Sequence, residues 1–224
     1  MHAARVPDRP SMHDRDKSGA RYVRLPKNTF SGKERMNIHT APRPAAFIDR
    51  DGTLIEEVNF LSRVDDLRIF PYTAEAIRRL KDTGFLIIVV TNQSGIGRQI
   101  YSEADMQSIH DEIQHQLGNA IDGFYFCPHL PDAGCQCRKP NLGMIRSAGN
   151  DFALDMNGSW MIGDKRLDVE TGFNAGIGTA MVRTGYGRVH SVQLVREPDI
   201  IADDLLQAVT QILEFKKSVV PVIA

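Results

Sequence analysis

The stretch Ala45-Ala46-Phe47-Ile48-Asp49-Arg50-Asp51-Gly52-Thr53 limits what this chain can become more than any other. Its apolar run is too short for a helix and stops at two carboxylates two residues apart, followed by glycine. A buried strand ending at its carboxyl edge has this pattern, and in open α/β sheets ligands sit outside that edge. Residues two apart on an extended chain share a face, so both carboxylates can aim at one point if the extended geometry continues to Asp51. Gly52 permits a sharp exit. Two crowded anions require a cation or a shared proton, which makes a hard divalent metal such as Mg2+ the natural companion. The plainer alternative is a surface turn, because Asp-Gly is a common hairpin signal.

Downstream, short apolar runs alternate with helical periodicity. Residues Ala74 to Thr83 read as a helix with Ile77 and Leu80 inward, closed by Gly84. Phe85 to Val90 reads as a buried parallel strand that ends in Thr91-Asn92-Gln93-Ser94-Gly95. Ser102 through Asp105 fits a capping pattern for a helix to about Leu117, with Met106, Ile109, Ile113 and Leu117 as its inner stripe. Strands at Gly123 to Phe126, Ser159 to Ile162 and Thr179 to Val182 alternate with helices starting near Met144 and spanning Lys165 to Ala175. A last amphipathic helix spans Ala202 to Phe215. The expected fold is α/β, a doubly wound parallel sheet over residues 44–218, without a cap domain because the inserts are short. Residues 1–43 are polar and basic, which points to a disordered extension or an arm for an anionic partner; Met36 is an alternative start. Residues 219–224 form an apolar tail too short to anchor anything.

With 224 residues, 42% of them hydrophobic, the chain can bury a full core. A net charge of -1 gives no general pull toward nucleic acid or membrane. No apolar run approaches the ~20 residues of a membrane span, and the N-terminus lacks a secretory h-region. The expectation is a soluble, cytoplasmic monomer.

Three strand ends present Asp49 and Asp51, then Thr91, then Asp164, and parallel strands share one carboxyl edge. Lys139 can bring a positive charge to the same crevice. Phosphoryl transfer needs such a set. A carboxylate nucleophile forms an acyl-phosphate, while a second carboxylate, partly protonated, exchanges the proton with leaving group and water. A hydroxyl and an ammonium hold phosphoryl oxygens, and Mg2+ offsets the accumulated charge. Singly, each residue has an ordinary reading: Thr91 as a strand-end hydroxyl, Lys139 as a surface lysine, Asp164 and Asp168 as acids favoured near a helix start. A second constellation is Cys127-Pro128-His129, then Cys135-Gln136-Cys137, holding every cysteine of the chain. Two such pairs form the closed four-ligand set of structural zinc, in a loop (residues 127–137) that presents Arg138 and Lys139.

Asp49-Arg-Asp51-Gly-Thr53, Thr91-Asn-Gln-Ser-Gly, Lys139 and Gly163-Asp164-x-x-x-Asp168 resemble the four ordered motifs of the haloacid dehalogenase (HAD) superfamily. The zinc loop closing on Cys-Arg-Lys-Pro is similar to the branch holding D-glycero-D-manno-heptose 1,7-bisphosphate 7-phosphatases and histidinol phosphatases. The resemblance covers roughly Ala45 to Gly187. It implies Asp49 as the phosphorylated nucleophile, Asp51 as acid/base, and Mg2+ held by Asp49, the Asp51 carbonyl and Asp164. It implies Thr91, Asn92, Gln93 and Ser94 around the phosphate, with Lys139 stabilising the transition state. Arg138, Lys165 and the loop Glu57, Val58, Asn59, Phe60 match substrate-side positions, and Asp168 stands behind the ligands. Thr91 to Arg98, Gly143-Met144, Gly163 to Lys165 and Val182 to Gly185 look more like the heptose enzymes than the histidinol-phosphate ones. Two departures are Leu142, where relatives often carry proline, and the loop Glu56 to Phe60. Rival readings are a phosphoryl-accepting switch domain, a polynucleotide 3'-phosphatase, another small sugar-phosphate phosphatase, and a non-catalytic zinc module.

Overall fold

In the computed structural model, residues 14–15, 21–23 and 41–219 are described, with side chains from 41 to 215. In chain order the elements are β1 (Asp14–Arg15), β2 (Arg21–Val23), β3 (Arg43–Ile48), α1 (Thr73–Asp82), β4 (Leu86–Asn92), α2 (Ser94–Gly97) and α3 (Glu103–Gln116). There follow β5 (Gly123–Cys127), α4 (Gly143–Asp151), β6 (Leu154–Gly163), α5 (Arg166–Ala175), β7 (Gly178–Val182), α6 (Gly187–Ser191), β8 (Ile200–Ala202) and α7 (Leu205–Val219).

One eight-stranded sheet has the order β1-β2-β5-β4-β3-β6-β7-β8. The six strands from β5 to β8 are parallel, while β1 and β2 add antiparallel on the outside of β5. β3 is central because both its faces are apolar: Ala45, Ala46, Phe47 and Ile48 are all fully buried. Alternate residues serve opposite layers, as the strand period of two requires. Ala46 and Ile48 pack with Ile77 and Leu80 of α1, Ile109 and Ile113 of α3, and Val209 and Ile212 of α7. Ala45 and Phe47 pack on the other face with Met144, Ile145 and Ala148 of α4. The chain winds outward from β3 to β4 and β5, then returns to the other side for β6, β7 and β8. The loops leaving β3 and β6 therefore diverge, and a crevice opens between them.

The alternating βα reading holds, with edges shifted by a few residues. The Ser102 cap forms as its pattern predicts: Ser102 Oγ accepts from the Asp105 amide at 3.1 Å, and the Asp105 carboxylate accepts from the Ser102 amide at 2.8 Å. Three differences stand out. Within the segment expected to lack regular structure, β1 and β2 form a short antiparallel pair, Arg21 facing Phe126 and Val23 facing Phe124; the rest of residues 1–40 lie outside the described residues, as do 220–224. Ala202, expected to open the last helix, instead ends β8, a strand of three residues too short to leave a period. The extended geometry does not continue to Asp51: β3 stops at Ile48, and Leu54 and Ile55 both donate back to the Arg50 carbonyl in a turn. Gly52 sits in that turn at φ +84°, where a side chain would be strained. The loop after it holds one 3-10 turn, Val64–Asp66, and no separate cap domain is present among the described residues.

Candidate active site

Asp49 follows directly on β3, and its carboxylate is buried. Its Oδ1 accepts from the Arg50 amide at 2.8 Å and from Lys139 Nζ at 2.9 Å. Oδ2 stays accessible to further partners, with Lys165 Nζ at 4.0 Å. Asp164 comes off β6 next to Asp49, because Ile48 and Ile162 are paired in register. Its Oδ2 accepts from the Tyr186 amide at 2.8 Å, whereas Oδ1 is fully buried with no hydrogen-bond donor. A Cβ on Gly52 or Gly185 would collide with this carboxylate, so both positions keep the chain close to it.

Asp168, one turn into α5, ties two lysines into place. Its Oδ1 meets Lys139 Nζ at 2.6 Å, and its Oδ2 accepts from the Lys165 amide at 2.9 Å. Lys139 Nζ also donates to the Val90 carbonyl at 2.8 Å. Burial pulls the Lys139 ammonium toward neutrality, but Asp168 and Asp49 outweigh it and raise its pKa. Lys165 is likewise lowered by burial and raised further by Asp49, Asp164 and Glu57, whose carboxylate pairs with it at 2.8 Å. Burial is the main cause pushing Asp164 up to about 8, assisted by Asp49 and Asp168 and opposed by Lys165. The Asp168 carboxyl is raised by the same desolvation.

Carboxylate oxygens of Asp49, Asp164 and Asp168 lie within 4.8 Å of one another. Three buried carboxyl groups so close, one carrying an orphaned oxygen, form the hard oxygen donor set that suits Mg2+. Both oxygens of Asp168 already serve nitrogens, whereas Asp49 keeps Oδ2 and Asp164 keeps Oδ1, so these two are the side chains that fit as ligands. The Asp51 carboxylate turns away from this group. It accepts a two-pronged bond from Arg50, Nε at 3.1 Å and Nη2 at 2.9 Å, and a third from Gln93 Nε2 at 2.8 Å. Only its backbone carbonyl remains for a cation. Burial raises the Asp51 pKa, but Arg50, Lys165 and Gln93 together carry it below the usual carboxylate range. Expected from sequence to be partly protonated, Asp51 is a carboxylate at rest.

The residues expected around the phosphate divide into two kinds. Asp49, Asp51, Thr91, Asn92, Arg138, Lys139 and Lys165 line one hollow of about 120 Å3. Glu57, Val58, Asn59, Phe60, Asn92, Gln93, Ser94 and Lys165 line a second of about 100 Å3, beside Arg50 and Asp51. Two of them already have structural duties. The Asn92 side chain clasps the Lys139 backbone, accepting from its amide at 3.0 Å and donating to its carbonyl at 3.3 Å. Gln93 is buried and fully engaged. It donates to Asp51 and to Thr91 Oγ1 (2.7 Å), and accepts from Arg50 (3.0 Å) and Tyr101 (2.5 Å). Arg138 donates to the His129 carbonyl at 3.3 Å and stays partly exposed at the rim. Sequence reasoning missed Arg50, Tyr101, His110 and Tyr186. Arg50 left one signal, a cation between two carboxylates at a strand end; the others come together only in space.

The cysteine loop closes as its spacing predicts. Cys127 Sγ lies 3.5 Å from His129 Nδ1 and 3.6 Å from Cys135 Sγ. Cys137 Sγ lies 3.2 Å from His129 Nδ1 and 3.5 Å from Cys135 Sγ. These separations approach the edges of a zinc tetrahedron, roughly 3.5–3.8 Å for bonds of about 2.0–2.3 Å. A hydrogen bond from Cys137, opposed by burial and aided by His129 and Cys135, brings the Cys127 thiol down to about 5. The shift favours thiolate, the form in which cysteine binds zinc. The loop leads straight into Lys139 and packs on the first turn of α4, where a Cβ on Gly143 would strike the Gln136 carbonyl.

A family model described as HAD-hydrolase-like matches residues 136–208. A D-glycero-D-manno-heptose-1,7-bisphosphate 7-phosphatase of Thermosynechococcus vestitus is 42% identical over 185 residues, covering 75% of this chain and 94% of that protein. The D-glycero-beta-D-manno-heptose-1,7-bisphosphate 7-phosphatase of Escherichia coli K12 is 38% identical over 63% of this chain and 80% of its own length. The crystal structure of D,D-heptose 1,7-bisphosphate phosphatase from B. bronchiseptica, complexed with magnesium and phosphate, superposes with a TM-score of 0.71. It is 32% identical and covers 76% of this chain and 99% of that one.

Proposed function

This chain belongs to the HAD-like hydrolase family, and from that membership we propose that it removes the 7-phosphate of D-glycero-D-manno-heptose 1,7-bisphosphate through an aspartyl-phosphate. The observation that carries this reading is the convergence of Asp49, Asp164 and Asp168 within 4.8 Å, beside the buried ammonium of Lys139. Asp49 Oδ2 attacks phosphorus, and the sugar alkoxide leaves with a proton from Asp51. A phosphate dianion beside Asp51 raises its proton affinity, which lets a carboxylate ionised at rest act as acid on substrate binding. Water then attacks the acyl-phosphate while Asp51 accepts its proton, and free Asp49 returns. Lys139, Thr91 and Ser94 hold the equatorial oxygens, with Asn92 and Gln93 keeping Lys139 and Thr91 aimed. Mg2+, bound by Asp49, the Asp51 carbonyl and Asp164, supplies charge neutralisation between carboxylates and phosphate. Glu57, Val58, Asn59, Phe60, Arg138 and Lys165 line the side on which the sugar enters. Zinc at Cys127, His129, Cys135 and Cys137 is structural.

No helix among the described residues is long and apolar enough to cross a membrane; we take the enzyme to act in the cytoplasm as a monomer. Phosphate release with Mg2+ tests the substrate: heptose 1,7-bisphosphate, fructose 1,6-bisphosphate, histidinol phosphate and a 3'-phosphorylated oligonucleotide. The heptose ester is expected to give the highest kcat/KM, and a preference for histidinol phosphate or the oligonucleotide would reassign the substrate. Asp49→Asn is expected to abolish turnover by orders of magnitude at unchanged fold, measured by single-turnover assay and circular dichroism. Unchanged turnover would remove Asp49 as the nucleophile, and no turnover in the unaltered protein would leave a non-catalytic zinc module.

A further inference from the structure

Arg50 sits between the two carboxylates of the site and contacts both. Its amide donates to Asp49, and its guanidinium grips Asp51 with two parallel bonds, a geometry that fixes direction as well as distance. Its side chain is only 1% exposed, so it cannot rely on solvent for its remaining donors. Gln93 Oε1 takes one of them at 3.0 Å. On Nη1, one donor faces His110 Nε2 at 3.2 Å.

His110 lies on the inner face of α3, a position otherwise given to Ile109 and Ile113, and is itself 1% exposed. Its ring stacks on Phe124 of β5 at 4.4 Å between centroids. A guanidinium can only donate, so Nε2 must be the acceptor and the ring proton must sit on Nδ1. That Nδ1 is buried with no protein partner among the described residues. An unpaired buried donor destabilises the fold, and a purely structural position would be filled better by an apolar ring. Burial and the charge of Arg50 hold the imidazole well below its ordinary range, in keeping with a neutral acceptor.

We propose that His110 is a positioning residue for the phosphoryl-transfer reaction: as an acceptor on α3 it fixes the Arg50 guanidinium, which aims the Asp51 carboxylate at the leaving group. Without that acceptor Arg50 Nη1 loses its His110 partner, and the guanidinium turns to find another, taking Asp51 with it. This rests on the reading of Asp51 as the acid. The consequence therefore depends on the leaving group. A sugar alkoxide needs the proton, whereas p-nitrophenolate leaves without it. A general loss of fold or of substrate affinity would strike both esters alike.

The test measures kcat/KM for heptose 1,7-bisphosphate and for p-nitrophenyl phosphate in the Mg2+- and Zn2+-loaded enzyme. His110→Phe keeps the stack and removes the acceptor; it is expected to lower the sugar value about tenfold or more and the aryl value by less than about threefold. His110→Gln, which returns an acceptor, is expected to recover most of the sugar value. Equal losses on both esters, or no recovery with glutamine, would overturn the proposal. Asp51→Asn separates the two levels: it should show the same split, enlarged, and equal losses there would instead sink the acid reading itself. Should the phenylalanine variant not fold, 15N NMR of His110 in the unaltered enzyme decides the matter. A neutral Nδ1–H tautomer at pH 7 supports it, and a proton on Nε2 overturns it.

Discussion

Lys139 meets oxygens of Asp49, Asp168 and Val90 with a single ammonium, at 2.9, 2.6 and 2.8 Å. Its sequence neighbours give no hint of this, because the partners come from three different strand ends or helix starts. Removing it leaves two buried carboxylates facing each other. Lys139→Met is expected to destabilise the metal-free protein by roughly 3–5 kcal/mol in urea titration, with Mg2+ restoring part of that. A cost below about 1 kcal/mol would mean the pair is solvated. Asp164 supplies a second test. With its pKa raised to about 8, the metal-free carboxyl keeps its proton at neutral pH, so Mg2+ must displace it. Mg2+ affinity is therefore expected to rise with pH and level off above about 8. Calorimetry in buffers of different ionisation enthalpy should show close to one proton released per ion at pH 6 and few at pH 9. Asp49, Asp51 and Asp164 were legible from their places at ends of apolar runs, and Lys139 as the positive charge that follows the cysteine loop. Arg50 and His110 were not, because an arginine between aspartates and a histidine on an apolar stripe both have commonplace readings.

Among the elements, those with long, unbroken periods declared themselves. The α3 stripe of Met106, Ile109, Ile113 and Leu117 is buried along its length. What escaped notice was short: α2 with four residues, α6 with five and β8 with three carry too few positions for a pattern. Beyond Cys127, which ends β5, the loop to residue 137 has no helix or strand to read, yet its four candidate ligands were legible because metal chemistry restricts spacing more tightly than packing does. Replacing Cys135 with serine is expected to remove the zinc, one per chain by atomic emission in the unaltered protein. Since the loop runs directly into Arg138 and Lys139, kcat should fall along with melting temperature. Full retention of both would make the thiols incidental.

At the scale of the whole molecule, the catalytic edge is independent of the outermost strands. β1 and β2 cover β5, on the far side of β4 from β3. A chain beginning at Ala41 is thus expected to keep kcat/KM within about twofold while exposing the β5 edge, and light scattering should detect concentration-dependent association. Loss of turnover in that chain would show that the first 40 residues reach the crevice. The residues alone determined that strands and helices alternate, that the strands β3 to β7 run parallel, and that acids, a threonine and a lysine share one edge. Those facts follow from hydrophobic period and from the chemistry of strand ends, both of which are local. Only the tertiary structure decided which strands are neighbours, and hence that β3 and β6 set Asp49 beside Asp164. It also decided that Asp51 turns to Arg50 and Gln93 instead of to the acidic cluster, and that His110 stands behind them. Contacts between residues far apart in the chain depend on the order and register of the packed strands, which no local period encodes.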